Sequence, residues 1–129
     1  MKNTLYMTRI LVLSALVWVV GAVHVYAQPV QFFESLQDVP LMPGLVERSE
    51  DTVLFDKPGG RVVESVAEMA DFSQAAVENY YSSALPQFGW KNVGTGQFTR
   101  QGEALELVFE KNTKNGREIG FLRVLVQPQ

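Results

Sequence analysis

The chain has 129 residues, 47% of them hydrophobic, and a formal charge of −3. That length suits one small domain. With no cysteine, no disulfide staples the fold and no thiolate serves as nucleophile, metal ligand or lipid attachment point, so stability has to come from packing.

Residues 1–27 read as a secretory signal peptide. Lys2 and Arg9 give a positive start, residues 10–23 are an uncharged apolar run, and Val25 and Ala27 flank a small-residue cleavage site. Cleavage near Ala27-Gln28 is the expectation, and an uncleaved anchor helix is the other reading. The run falls short of the roughly 20 apolar residues of a spanning helix. Either way the rest of the chain is delivered across a membrane, to a periplasmic or secreted location, with no stable membrane insertion after cleavage. Cleavage removes Lys2, Arg9 and His24, so nine of the eleven basic residues face fourteen acidic ones, a charge of −5. That balance argues against nucleic acid or anionic lipid as the main partner.

Residues 28–45 read as a Pro-containing arm. Pro29, Pro40, Pro43 and Gly44 rule out a continuous helix, although one helical turn fits at 33–37. The stretch 38–45, D-V-P-L-M-P-G-L, reads as extended and is too apolar for a linker. Leu41, Met42 and Leu45 either pack on the edge of the domain or dock another protein.

Residues 46–129 read as a single α+β domain. A short strand at 52–55 meets a turn at Asp56-Lys57-Pro58-Gly59-Gly60, and a valine-rich strand follows at 61–69. Asp71 or Ser73 caps the next element, where Val77, Tyr81, Ala84, Leu85 and Phe88 recur at helical spacing. Pro86 kinks or ends the regular helix and Gly89 stops it. A strand opens at Trp90, is interrupted by a bulge or turn at Gly94-Thr95-Gly96, and continues through 98–100. Residues 104–111 alternate, Asn115-Gly116 is the best hairpin signal in the chain, and 118–126 is the last strand. The expected fold is therefore an antiparallel sheet of about five strands with one helix on one face, in the order β-β-α-β-β-β.

The possible chemistry is narrow. Without His or Cys in the mature chain, the common general base, thiol nucleophiles and the usual zinc sites are excluded. No phosphate-binding or dinucleotide motif and no nucleophile elbow is present. No catalytic residue, metal site or cofactor is expected. Glu106 and Glu110 share a strand face and are the one pair for a carboxylate hydrolase, but a solvated face explains them. The aromatic residues Tyr80, Tyr81, Phe88, Trp90 and Phe98 are more informative. Tyr81 and Phe88 belong to the apolar stripe. Tyr80 and Trp90 lie at its margin, where Arg61, Arg100 and Arg123 can complete a recognition patch beside Leu41 and Met42.

The segments D-V-P-L-M-P-G-L, F-D-K-P-G-G-R-V-V and Y-Y-x-x-x-L-P-x-x-G-W from Tyr80 to Trp90 resemble a group of small secreted alphaproteobacterial proteins of unknown function. The likeness covers residues 38–127 and implies a location and module boundaries without a reaction. More loosely, a helix ending in L-x-x-x-G-W before an antiparallel sheet resembles the helix-grip modules of the lipoprotein subunit of the outer-membrane barrel-assembly machinery. This chain lacks that subunit's lipobox cysteine and second module. The expected function is a non-enzymatic periplasmic binding or accessory module for another envelope protein or peptide. A small apolar-ligand carrier and a carboxylate-dependent hydrolase are the alternatives.

Overall fold

The structure, a computed structural model, describes residues 26–129. The expected signal peptide, apart from Tyr26 and Ala27, lies outside the described residues. Among the described residues no helix is long and apolar enough to cross a membrane.

Alternating apolar and polar residues set the strands. β1 (Val46–Glu47), β2 (Val53–Lys57) and β3 (Gly60–Glu68) precede helix α1 (Gln74–Ala84). β4 (Lys91–Gly94), β5 (Gln97–Arg100), β6 (Glu103–Lys114) and β7 (Arg117–Pro128) follow it. The sheet is antiparallel and seven-stranded, in the order β1-β3-β7-β6-β5-β4, with β2 also paired to β3. The protein is α+β, and mostly sheet.

The strand count and order differ from the expectation in two places. Val46 and Glu47 pair with Glu68 and Ala67, so β1 and β2 share one edge of β3. A 3-10 turn at Ser49–Asp51 separates them. Two paired residues are too short a run for any periodicity to reveal. Residues 90–100 are not one interrupted strand either. Thr95 and Gly96 turn the chain back, and Gly94 pairs with Gln97.

The turn chemistry follows the sequence closely at the β6–β7 hairpin. Asn115 and Gly116 both have positive φ, 52° and 73°, and Lys114 pairs with Arg117 around them. This is the mirror-image turn whose twist matches that of the strands. The β6–β7 ribbon runs on past its neighbours, because β3 pairs with β7 only as far as Phe121.

One face of the sheet carries the core. The cross-strand row Val63, Val126, Leu105 and Phe98 lies on it, as do Ala67, Leu122, Val124 and Leu107. α1 buries Val77, Tyr81 and the following Leu85 against these side chains. Ser73 is the cap, its Oγ accepting the Ala76 N–H at 3.1 Å. The α-helix ends at Ala84, and a 3-10 turn, Leu85–Phe88, accommodates Pro86. Gly89 closes the element at φ 86°, and its N–H donates to Pro86 O at 3.2 Å.

The N-terminal arm is part of this core. Phe33, Leu36, Val39, Met42 and Leu45 are all buried in the same cluster. The arm folds back on itself rather than running extended: Phe32 bridges to Pro40, and the Leu41 N–H donates to Gln31 O at 2.8 Å. Residues 33–37 form turns and no helix. The Met42 N–H donates to the Tyr81 hydroxyl at 3.3 Å, which ties the arm to α1.

Candidate functional site

The six expected binding residues do not form one surface. Four of them belong to the interior and its rim. At one end of the core face, Arg61 of β3 reaches across β7 to Glu103 of β6, Arg100 of β5 lies beside Glu103, and Asp38 of the arm closes over them. Arg61 donates to Glu103 at 2.8 and 3.1 Å and to Asp38 at 2.8 Å. Arg100 also donates to Asp38, and to Phe88 O at 3.1 Å. Its guanidinium stacks on Trp90, 4.2 Å from the ring centroid. Trp90 is only 1% exposed, so it is a core side chain under a cation and no part of a recognition patch. Met42 is buried as well.

Two positive and two negative groups face one another here, and the guanidinium donors are turned inward. Burial pushes the Asp38 carboxyl up, but Arg100 and Arg61 outweigh it and hold the group below the usual carboxylate range. The Glu103 hydrogen bond raises Arg61 further, against burial and with help from Asp38. The cluster fastens the arm to three strands. Asp38 itself was legible only as part of a proline-rich stretch, because its partners lie 23 and 62 residues away.

Leu41 and Tyr80 do come together. With Val30, Pro43 and Gly44 they line a hollow of about 300 Å³ beside the first described residues. Tyr80 packs edge-to-face on Tyr81 with centroids 5.0 Å apart, and burial raises its phenol.

Among the described residues, the opposite face of the sheet carries no α-helix. Its alternate positions hold Val62, Val66, Val108, Phe121 and Leu125 among charged residues. Arg123 sits at the centre, donating to Glu64 and, at 3.0 Å, to Glu110. The Glu110 hydrogen bond leads in raising its guanidinium, against burial and with Glu64 adding to the rise. A groove of about 570 Å³ runs between β2–β3 and the projecting β6–β7 ribbon. Arg48, Val53, Val66, Ile119, Phe121 and Arg123 are among its walls. The sequence hides this site because its apolar members, read along one strand, look like ordinary sheet-forming residues. The partial signal was Arg123, a cation inside the most apolar strand.

The carboxylate pair lies on this outer face. Four residues along one strand separate Glu106 from Glu110 by about 13 Å, beyond the span at which two carboxylates share a glycosidic bond. Glu110 is also held by Arg123. Among the described residues no group of three or more His, Cys, Asp or Glu is gathered as a metal site would be. No family model, no curated protein and no solved structure matches the chain.

Proposed function

We propose that the protein is a non-enzymatic binding module of the cell envelope. In this reading its outer sheet face receives an extended segment of another envelope protein, in the groove between β2–β3 and the projecting β6–β7 ribbon. One observation carries the reading: the helix and the arm both pack on the inner face, while the outer face keeps Val108, Phe121 and Leu125 half-buried without a second layer among the described residues. The walls mix apolar side chains with both signs of charge, which suits a polypeptide better than a polyanion or an acyl chain. Arg123 is neutralised by two carboxylates, so no strong positive field is offered to nucleic acid.

The periplasmic or secreted location belongs to the same proposal and rests on residues 1–27. The helix-grip architecture and the accessory role it suggests rest on the quoted motifs. The carrier alternative has less support, because Phe33, Tyr81, Leu85, Trp90 and Phe98 fill the space between helix and sheet.

Affinity purification from the envelope tests the proposal. The tagged wild type is expected to bring down a defined partner, and Phe121→Lys with Ile119→Lys is expected to lose it while keeping the native unfolding transition. A partner retained by that folded double variant sinks the groove as the binding site.

A further inference from the structure

The arm joins the core at Phe33, but the residues ahead of it are lightly held. Residues 26–31 belong to no helix or strand, and Gln28, Pro29 and Val30 are exposed. From Gln28 onward, the first backbone hydrogen bond among the described residues runs from the Leu41 N–H to Gln31 O, at 2.8 Å. The Gln28 side chain has no partner among the described residues. Its carboxamide is therefore free to turn back on its own backbone nitrogen.

A glutamine at the head of a chain holds a nucleophile and an electrophile at the spacing of a five-membered ring. We propose, on the reading that residues 1–27 are cleaved after Ala27, that Gln28 is a modification site whose α-amine closes on its own carboxamide to give pyroglutamate. The α-nitrogen attacks Cδ, and the bond from Cδ to Nε2 breaks. The proton lost by the amine leaves with Nε2 as ammonia. One C–N bond replaces another, and no oxidant, reductant or cofactor is consumed. An α-amine titrates near neutral pH, so a share of it is unprotonated and nucleophilic. Pro29 has no N–H, so the backbone nitrogen that follows cannot attack the carboxamide in competition.

The surroundings suit the ring. Gln28 lines the hollow of about 300 Å³ together with Pro29, Val30, Leu41, Pro43 and Tyr80. Closure replaces an ammonium with a neutral lactam beside these apolar side chains, where a charge is disfavoured. It also removes the primary amine by which exopeptidases hold a chain. The arm gains from that protection, because Phe33 and Leu36 are fully buried in the core and trimming through them opens it.

Mass spectrometry tests the site on the chain expressed from Met1 and isolated as the cell delivers it. Reductive methylation at harvest blocks any amine still free, so ring closure during handling is not counted. A terminus at Gln28, one ammonia lighter and unmethylated, is expected. Gln28→Asn keeps a carboxamide but offers only a strained four-membered ring, and its terminus is expected at full weight and methylated. With methylation omitted, an X-Pro aminopeptidase is expected to leave the wild type intact and to remove one residue from the variant. A wild-type terminus at Gln28 that carries methyl groups overturns ring closure and leaves cleavage standing. A chain that retains residues ahead of Gln28 overturns cleavage, and the ring with it. A variant as resistant as the wild type assigns the protection to the fold of the arm and overturns the role given to the ring.

Discussion

Asp38→Ala is the most informative single perturbation of the fold. It removes two charge-assisted hydrogen bonds, from Arg61 and from Arg100. Each such bond contributes about 1.5–3 kcal/mol when shielded. The three side chains here are 29%, 32% and 18% exposed, so solvent screening lowers that figure. Asp38 Oδ1 is buried without a partner among the described residues, and the substitution relieves that penalty. The expected net loss is about 2 kcal/mol. The sign with pH follows from the lowered carboxyl of the folded state. Its contribution is fully present above the unfolded value of 3.8 and fades as the pH falls through the depressed folded value. Urea unfolding of wild type and variant, at about pH 7 and again at about pH 3, measures both quantities. The gap is expected to be about 2 kcal/mol at the higher pH and smaller at the lower. A gap near zero at neutral pH, or one unchanged by acid, refutes the clamp.

Phe33→Ala is expected to cost about 3–5 kcal/mol in chemical denaturation, because the ring is fully buried in the common core; a loss under about 1 kcal/mol means that the arm is only loosely attached. Gly89→Ala forces a side chain into φ 86°, with its Cβ 3.4 Å from Arg100 Cδ. A loss of about 1–2 kcal/mol is expected from the same measurement, and none if the helix end relaxes. Trp90 is the one tryptophan left if residues 1–27 are removed. Its fluorescence is expected to be blue-shifted and poorly quenched by acrylamide, whereas a free-indole spectrum contradicts the buried stack under Arg100.

Much of the fold is legible in the sequence because its signals are local. Asn115-Gly116 dictates its turn, Ser73 caps the helix within three residues, and Gly89 can stop it alone. What was not legible depends on distant partners. β1 exists because Glu68 and Ala67 offer an edge, and nothing in Val46 and Glu47 announces that. The β4–β5 hairpin turns on two residues, Thr95-Gly96, whose sequence fits a bulge equally well. The arm did carry a signal. Phe33, Leu36, Val39, Met42 and Leu45 recur every third residue and all are buried, a spacing that neither the helical nor the strand template detects. At the candidate site, Tyr80 and Leu41 were legible only as two members of one candidate set, and the fold of the arm is what brings them to one hollow. Trp90, Arg61 and Arg100 were misplaced because exposure cannot be read from residue type: an arginine and a tryptophan mark a buried stack as readily as an interface. The outer groove needed the pairing of β3, β6 and β7 to appear at all.

Photocrosslinking in cells tests the proposed function most directly. A photoreactive side chain at Phe121 or Ile119 in the outer groove is expected to give one discrete adduct with an envelope protein, while the same group at Ser82, on the exposed side of α1, gives none. Adducts from Ser82 but not from Phe121 or Ile119 contradict the account, as does a groove that gives no adduct at all.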